Sequence, residues 1–568
     1  MERKVLDVID VGADLTPYGF SAIYSGVGTG KNTFIEGLLT EDGTFKGGLS
    51  SRHRVLLVTS RKAKVEETFK RHGNGIKNFT NQIYDKEDIA YSWEIEEQGK
   101  SVVCTNAHFA NRLKHVRMDD SNYYFWEQFD YIIFDEFHSI VMDATFTENC
   151  HLIKFFLDFF YKRYVKDKKT EEIKKHILFM SGTPEPAEGI VKQYNTNVID
   201  YRKIVPYKKP KKYFIITKTK VFGNISACIL HNKTNIYFMS YLNSIEKIID
   251  DLNKKGINTS DCVAIYISDN DKMKEIQQDY PEIFKNSEIV RTCLSEGNPL
   301  PNNIKLLLTN NACKEGINIL SKVENIFVES HLLIDIIQMC GRVRDVDKVD
   351  SVYLVKDANQ FYAPKDRYIK EREYQVEYAK KEADRFLLKL ANEVGYYDLL
   401  HCAYDFPEIE EFINYIENNT KRIRYNPFIE KFDENICFDI AIQYISENLE
   451  KYTKNLEEYK ITKKFLDDDY KDHFDGASIN NSLIFDKEKM VYDYFRNKWG
   501  IDNLEGYKFK SEDKERIHNE LQMCSKACGI SKTYEGAGTL LRAFGFRIVY
   551  DDDHKTKTSK FKIVKNKK

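Results

Sequence analysis

The sequence lacks the features that mark secreted, disulfide-stabilised or membrane proteins. Its 568 residues contain 11 cysteines, an odd number, and no two of them form a CxxC pair. The opening residues have no apolar signal-peptide core, and the apolar stretch around Phe155–Tyr161 is interrupted by charged residues and too short to span a bilayer. We therefore expect no membrane segment, and reduced thiols that are structural or incidental.

The sequence also lacks an excess of charge of either sign. Its 86 Lys and Arg residues face 88 Asp and Glu residues, which gives a formal net charge of -2. The chain as a whole therefore does not attract polyanions, and any surface that binds one must be a local patch or depend on backbone contacts. This composition is typical of a cytoplasmic protein, and the abundance of Lys, Asn and Ile fits the AT-rich genome of a bacterial or phage-infected cell.

Short apolar runs that end in polar residues recur along the first part of the chain. Each is rich in β-branched or aromatic residues and precedes a helical stretch, which is typical of a parallel sheet covered on both faces. The five runs are FSAIYSG, RVLLVTS, SVVCTNA, YIIFDEF and HILFMSGTP. Ligands of such sheets bind at the carboxyl ends of the strands, which is where the polar residues stand.

A second alternation of this kind follows a basic, proline-bearing linker at Lys203–Lys212. Its runs are YFIITKTK, NIYFMSY, CVAIYIS, IKLLLTNN, NIFVES and SVYLVKD. Helical spacing then predominates, and the chain ends in a pattern of helices followed by a hairpin of FRIVY and KFKIVK. We predict an α/β fold with parallel-sheet domains at 1–205 and 206–362, a helical accessory region at 363–485 and a winged-helix-like module at 486–568.

A glycine-rich loop follows the first run and opens a helix, FIEGLL. Small residues let backbone N–H groups close around phosphate oxygens, and Lys31 would reach the outer phosphates. Asn32 stands where a hydroxyl normally holds Mg²⁺, so Asn32 and Thr33 are both candidate ligands. The alternative is a glycine-rich turn that binds no phosphate, and the strand–loop–helix context disfavours it. The loop comprises Ser25, Gly26, Val27, Gly28, Thr29, Gly30, Lys31, Asn32 and Thr33.

Two adjacent carboxylates end the apolar run YIIFDEF. Asp135 would hold Mg²⁺, and Glu136 would orient and deprotonate an attacking water. Alone, such a pair is most often a solvated loop. Its position after a phosphate-binding loop, at the spacing of one domain, favours the catalytic interpretation.

The third element is QMCGRVR, in the second parallel unit. Phosphoryl transfer builds charge on the γ-phosphate, and an arginine finger stabilises it. Arg342 and Arg344 would act in this way, with Gln338, only if the two units face each other across one nucleotide. Taken alone, the two arginines are more simply read as surface residues of a helix.

In this order the three elements resemble superfamily 2 helicases of the DExH group, over residues 15 to 360. The resemblance implies two RecA-like domains with ATP and Mg²⁺ between them and nucleic acid as the partner, and we expect DNA more than RNA. It assigns nucleic-acid contacts, coupling residues and further nucleotide contacts. The nucleic-acid contacts are Thr59, Ser60, Arg61, Thr105, Asn106, Ser240 and Thr309, the coupling residues are His138, Ser181, Gly182 and Thr183, and the nucleotide contacts are Gly316 and Asn318.

The GRVR ending looks like herpesvirus origin-binding helicases and related phage replication helicases. The usual last arginine stands three places after the first, whereas Arg344 stands two places after Arg342, so either arginine is a candidate finger. We expect a DNA helicase of replication or repair, with replication proteins as partners. The alternatives are an origin- or site-binding ATPase that remodels a complex, and a scaffold with a vestigial loop.

The C-terminal end is rich in lysine. A basic wing would bind phosphates without regard to sequence, but a solvated tail or a protein-binding module explains the lysines equally well. Upstream, Cys524 and Cys528 lie one helical turn apart near His518. Core-facing thiols are the preferred interpretation there, with a zinc site as the alternative.

Overall fold

The computed structural model describes part of the chain, in ranges separated by gaps. These are residues 15, 19–26, 28–39, 45–46, 48–61, 64–65, 68, 79–81, 101–114, 124–145, 150–166, 175–202, 204, 210, 212–240, 242–267, 270–310, 318–330, 332–344, 348–356, 380–381, 383–389, 407–419, 422–462, 478–480, 506–510, 519, 546–551 and 560–565. Within these ranges, no helix has both the length and the apolar character needed to cross a bilayer.

The first domain is built on a seven-stranded sheet with the strand order β5-β6-β4-β7-β8-β1-β9. All six neighbouring pairs in this sheet are parallel. A small antiparallel pair, β2 and β3, lies outside it. The strands are β1 Gly19–Tyr24, β2 Leu38–Leu39, β3 Phe45–Lys46, β4 Val55–Thr59, β5 Phe79–Asn81, β6 Ser101–Thr105, β7 Tyr131–Asp135, β8 His176–Ser181 and β9 Asn197–Asp200.

The second domain repeats this design with the strand order β12-β13-β11-β14-β15-β10-β18, again with every pair parallel. The seventh strand, β18, comes from the accessory region, far along the chain. The strands are β10 Lys212–Thr217, β11 Asn235–Phe238, β12 Val263–Tyr266, β13 Leu306–Thr309, β14 Asn325–Val328, β15 Ser351–Lys356 and β18 Ser478–Asn480.

Helices cover both faces of each sheet, because the strands are apolar on both faces. In β7, Ile132 and Phe134 enter one core cluster while Tyr131 and Ile133 enter the other. The helices of the first domain are α1 Lys31–Glu36, α2 Asn106–Lys114, α3 His138–Met142, α4 Cys150–Phe160 and α5 Glu188–Gln193. Those of the second are α6 Lys218–Leu230, α7 Ile245–Lys254, α8 Thr259–Cys262, α9 Asn270–Asp279, α10 Pro281–Glu296 and α11 Leu333–Cys340.

The predicted α/β fold of two tandem RecA-like, parallel-sheet domains is confirmed by these two sheets, and each of the eleven apolar runs forms a strand. The predicted length of the first helix was wrong. The helix predicted over FIEGLL ends at Glu36, because Gly37 has a φ of 95° and directs the chain into β2.

The accessory region packs against the first domain. Its helices are α12 Pro407–Asn419 and α13 Ile436–Thr462, as the helical spacing predicted. Between them lies an antiparallel hairpin that the sequence did not indicate, formed by β16 Ile423–Asn426 and β17 Lys431–Glu434. The chain just before β17 places Phe428 against Phe159, with ring centroids 4.9 Å apart.

The C-terminal strands form a three-stranded antiparallel sheet with the order β19-β21-β20. They are β19 Lys508–Lys510, β20 Phe546–Asp551 and β21 Lys560–Lys565. The predicted pairing of FRIVY with KFKIVK is confirmed. The helices expected for a winged helix, and Cys524, Cys528 and His518, lie outside the described residues.

Candidate nucleotide-binding site

The glycine-rich loop leaves β1 and turns into α1 through two unusual backbone conformations. Gly28 has a φ of 80° and Gly30 a φ of 92°, values that L side chains rarely adopt. A Cβ atom at Gly28 would also lie 3.3 Å from Nη1 of Arg344. Glycine at these two positions is therefore required by the shape of the loop. Val27 lies outside the described residues, and Asn32 and Thr33 are half-buried in the first turn of α1.

Lys31 directs its ammonium group into the concave side of this loop. Its Nζ donates hydrogen bonds to the carbonyl oxygens of Ser25, at 3.1 Å, and Gly26, at 3.3 Å. Nζ also lies 3.7 Å from Oε1 of Glu136, so the loop and the acidic box meet at this side chain. The hydroxyl of Thr29 closes the loop by donating to the Gly26 carbonyl at 2.7 Å. A buried cation at the centre of a backbone loop is a geometry suited to phosphate.

Glu136 adopts a strained backbone conformation directly after β7. Its φ of 49° is left-handed, which is uncommon for a residue other than glycine and costs on the order of 1–3 kcal/mol. Oε2 of this carboxylate accepts the backbone N–H of Gly182 at 3.4 Å. Oε2 also lies 3.5 Å from Nδ1 of His138. The strained turn aims the carboxylate away from the sheet and toward the loop.

Asp135 is the last residue of β7 and is buried. Burial and the neighbouring Glu136 carboxylate raise the pKa of Asp135 to about 6, against the opposing effect of Lys64 and Lys31. Within the described part of the chain, Oδ1 of Asp135 accepts no hydrogen bond. A buried carboxylate oxygen without a donor is the arrangement that a hard cation such as Mg²⁺ would satisfy, so Asp135 fits the predicted metal ligand.

The predicted coupling residues form one hydrogen-bonded group behind Glu136. Nδ1 of His138 lies 2.9 Å from Oγ of Ser181 and 3.4 Å from Oγ1 of Thr183. The backbone N–H of Thr183 donates to Oγ of Ser181 at 3.0 Å. Since Gly182 bonds Glu136, this segment connects the acidic box to the end of β8.

Gln338 extends this group into the second domain. Its Nε2 donates to Oγ1 of Thr183 at 2.9 Å and to Oε2 of Glu136 at 3.4 Å. Its side-chain oxygen accepts Nη2 of Arg342 at 2.8 Å, and its carbonyl accepts Nε of Arg342 at 3.2 Å. The two domains therefore meet at the acidic box through one buried amide.

Arg344, rather than Arg342, contacts the glycine-rich loop. Nη1 of Arg344 donates to the carbonyl oxygen of Gly28 at 3.4 Å. The arginine segment is anchored by Ile319, whose N–H donates to Arg342 and whose carbonyl accepts the N–H of Arg344. Asn318, a predicted nucleotide contact, is half-buried beside this bridge, whereas Gly316 lies outside the described residues.

The nucleic-acid contacts predicted for the first domain stand at the ends of β4 and β6. Thr59 is buried and Ser60 half-buried, and Arg61 forms an ion pair with Asp143 at 3.2 Å. The roles of these three residues stay predictions. Asp143 is nevertheless an acidic partner of Arg61, although the sequence did not indicate this role.

At the end of β6 the side chains organise the start of α2. Oγ1 of Thr105 accepts the backbone N–H of His108 at 3.1 Å, which satisfies one of the open donors of the helix. Nδ2 of Asn106 donates to Oγ of Ser139 at 3.2 Å, within α3. Asn106 thus connects the predicted nucleic-acid edge to the helix that follows the acidic box.

In the second domain, Ser240 and Thr309 also lie at strand ends. Ser240 is exposed, and its N–H donates to Oε2 of Glu329 at 3.0 Å. Thr309 is buried, and its hydroxyl donates to the carbonyl of Tyr266 at 2.7 Å. Their contacts with a strand stay predictions.

Buried charged groups in both domains were missed, Glu329 in the second domain and the pair of Lys64 and Glu36 in the first. Glu329 directly follows β14 and accepts hydrogen bonds from the Tyr237 hydroxyl and from the N–H of Ser240. Its position after an apolar strand was the available signal. Lys64 lies 3.9 Å from Glu36, with both side chains buried, and no local pattern indicated that pair.

No protein-family model matches the chain, and no curated protein matches it. Similar solved structures include the DEAD-box helicase Mss116 bound to single-stranded RNA and UDP-BeF, with 14% identity, a TM-score of 0.41, and coverage of 75% of this chain and 91% of that one. Dbp5 of S. cerevisiae bound to RNA and ADP BeF3 has 12% identity, a TM-score of 0.36, and coverage of 60% and 81%. The DUF1998 helicase MrfA bound to DNA and AMPPNP has 13% identity, a TM-score of 0.39, and coverage of 62% and 47%. Identities and scores this low assign neither a family nor a substrate to the chain.

Proposed function

We propose that this chain is an ATP-dependent nucleic-acid translocase of the superfamily 2 helicase type. The observation that carries the proposal is the contact of Gln338 with Glu136 and Thr183, which joins the arginine segment of one domain to the acidic box of the other. A nucleotide held by Lys31 would therefore touch groups from both domains. Such a site responds to the distance between the domains, as a motor requires.

Each of these residues would have a distinct role in phosphoryl transfer. Lys31 would bind the outer phosphates, and the strained turn at Glu136 would hold its carboxylate against the attacking water. Arg344 would stabilise charge on the γ-phosphate, since it already lies against Gly28. Arg342 would keep Gln338 in place through their shared hydrogen bonds.

Mg²⁺, held by Asp135 with Asn32 or Thr33, would neutralise charge that develops on the β- and γ-phosphates. These three residues fit that role because the Asp135 oxygen is buried and unsatisfied while the other two lie at the start of α1. ATP is the proposed nucleotide.

Nucleic acid would lie across the strand ends that carry Arg61, Asn106 and Ser240. Contacts of this kind are to phosphate and sugar, so the motor would show little sequence preference. We propose DNA as the main activator, with a role in replication or repair alongside replication proteins in the cytoplasm of a bacterial or phage-infected cell. The herpesvirus-type and phage-type subgroup is part of the same proposal.

The proposal is tested by ATP hydrolysis with single-stranded DNA, duplex DNA and RNA compared as activators. Lys31→Ala and Glu136→Gln should each abolish stimulated hydrolysis and strand separation. Lys247→Ala and Glu282→Gln, which change exposed residues of the second domain, serve as matched controls and should behave as the unaltered protein. Full turnover by Glu136→Gln would overturn the assignment, and measurable hydrolysis by the unaltered protein would exclude a vestigial scaffold.

A second candidate is a site-binding ATPase that remodels a nucleoprotein complex, for which the C-terminal sheet would supply a nucleic-acid contact outside the two parallel-sheet domains. Lys508 stands directly opposite Lys562 across β19 and β21, with Lys510 two residues further along. Directly opposite residues of an antiparallel pair present their side chains side by side on one face, so the ammonium groups of Lys508 and Lys562 lie near each other. A basic sheet of this kind fits a phosphate backbone.

Footprinting of the full chain separates the two candidates. The Glu136→Gln variant, which should bind ATP without hydrolysing it, is used with ATP on duplex DNA to map protection. Protection confined to one sequence supports the site-binding ATPase, whereas uniform, salt-sensitive protection supports the translocase.

A further inference from the structure

The helix α13 contacts both domains at the two segments that carry the acidic box and Gln338. Tyr444 and Ile445, on α13, pack into one cluster with Met142, Leu332 and Ile334. Met142 belongs to the first domain, while Leu332 and Ile334 belong to the second. Three separate parts of the chain therefore share a single apolar cluster.

Two members of this cluster, Met142 and Ile334, lie in the helices next to Glu136 and Gln338. Met142 ends α3, the helix that begins two residues after Glu136. Ile334 lies in α11, the helix that carries Gln338 one turn further along. A shift of either side chain would move the carboxylate or the amide that meet between the domains.

The first turns of α13 are fixed firmly to the first domain. Cys437 and Ala441 are buried in its larger core cluster, together with residues of α4. Asn435 caps the helix by accepting the N–H of Phe438 at 3.4 Å. The helix thus moves with the first domain, and its next turn presents Tyr444 and Ile445 to the second.

The cluster also lies next to Arg61, one of the predicted nucleic-acid contacts. Asp143 follows Met142 directly, and it binds the guanidinium group of Arg61 through both carboxylate oxygens, at 3.3 Å and 3.2 Å. A strand that engaged Arg61 would compete with Asp143 and alter the support of Met142. The cluster is therefore positioned between the strand edge and the interdomain contact.

On the basis of the translocase proposed above, we infer that α13 is a strut that sets the separation of the two domains. Through Tyr444 and Ile445, this strut couples strand binding to ATP turnover. These two are positioning residues, since they touch neither nucleotide nor strand. The strut acts through Met142 on Glu136, and through Ile334 on Gln338.

The test compares Tyr444→Ala/Ile445→Ala with two other variants of the full chain. Tyr444→Phe keeps the ring and should rescue the coupling. Gln443→Ala changes an exposed residue of the same helix and serves as the matched control. Fluorophores introduced through an unnatural amino acid at Val198 and Ile289, which are 43% and 46% exposed, report the distance between the domains.

The strut predicts two results for the double variant. Without nucleotide, the distribution of distances between Val198 and Ile289 broadens, because α13 no longer packs against Leu332 and Ile334. With saturating nucleic acid, kcat for ATP falls by about fivefold or more, the size of a typical coupling between sites, while the affinity for ADP is unchanged. An unaltered ADP affinity separates this effect from general unfolding of the first domain.

An unchanged distance distribution would overturn the inference, and so would a broadened distribution with normal stimulated turnover. Failure of the Phe variant to restore turnover would also count against it. Absence of ATP hydrolysis by the unaltered protein would instead overturn the proposed function, and the distance measurement would then decide the strut on its own.

Discussion

Gln338 and Glu136, 202 residues apart in the chain, are joined by a hydrogen bond from Nε2 to Oε2 of 3.4 Å across the boundary between the two domains. The bond is buried, and its donor also holds Thr183. The first domain supplies the carboxylate and its contacts with Gly182 and His138, whereas the amide of Gln338 comes from the second domain. The strained backbone of Glu136 is therefore supported from the opposite domain.

Replacing Gln338 tests this support. Gln338→Ala should lower kcat for stimulated ATP hydrolysis roughly a hundredfold, because a misplaced catalytic group costs about that much, while binding of ADP stays unchanged. Gln338→Glu should be as damaging, because a second carboxylate would then face Glu136. Steady-state kinetics with single-stranded DNA measure both variants.

Exposed Gln443 provides the control for that substitution, since Gln443→Ala changes the same residue type away from the site. A Gln338→Ala protein with normal kcat would show that the contact is incidental. In that case the domains would have to meet the nucleotide through other groups.

The two arginines of QMCGRVR should differ in what their removal does. Arg344→Ala should lower kcat on the order of a thousandfold, as removal of an arginine finger does, with little change in thermal midpoint, because its side chain is exposed beside Gly28. Arg342→Ala should lower the thermal midpoint as well, because it leaves a buried Gln338 oxygen without its donor.

Kinetics and thermal unfolding of the same two preparations distinguish these results. The reverse pattern, with a catalytic defect confined to Arg342→Ala, would assign the finger to Arg342. Lysine replacements refine the comparison, because they keep the charge and remove the planar fork.

Much of the site could be predicted because strand ends are local signals. Lys31 and Asp135 each follow an apolar run, and parallel strands bring such ends to one edge of a sheet. Glu136 was named from its position, but its left-handed backbone was not, since nothing in YIIFDEF indicates a φ of 49°.

The contacts that depend on distant parts of the chain could not be predicted. β18 consists of three residues in a region of helical spacing and becomes a strand only by pairing with β10. The cluster of Met142 with Tyr444 likewise joins residues whose local patterns show ordinary helix faces. Local periodicity identifies elements, whereas the partner of each exposed face depends on the packing of the whole chain.

The pKa of Asp135 predicts how Mg²⁺ dependence should vary with pH. Burial and Glu136 raise this pKa to about 6, so the carboxylate is ionised above that value and protonated below it. Protons then compete with the metal, and the Mg²⁺ concentration needed for half-maximal ATP hydrolysis should rise as pH falls from 8 through 6. Titration of activity with Mg²⁺ at each pH measures the effect.

Asp135→Asn supplies the comparison, because an amide does not titrate in this range. Its weak residual Mg²⁺ requirement should be independent of pH. A pH-dependent requirement that persisted in Asp135→Asn would place the competing proton on another ligand.

The basic sheet should contribute to nucleic-acid affinity through phosphates alone. Lys508 and Lys562 are direct cross-strand partners, so their two ammonium groups can contact two neighbouring phosphates of one strand. Lys508→Gln/Lys562→Gln should weaken binding of every single-stranded sequence equally. It should also reduce the slope of log K against log salt by about 1.4, because each lysine that no longer neutralises a phosphate lowers that slope by about 0.7.

Lys247→Gln/Lys285→Gln, on exposed positions of the second domain, keeps the same net charge as that variant and should leave the slope unchanged. If the control reduced the slope as much, the effect would come from total charge and not from this sheet. Weakening confined to one sequence would instead show that the sheet reads bases, because phosphate contacts carry no sequence information.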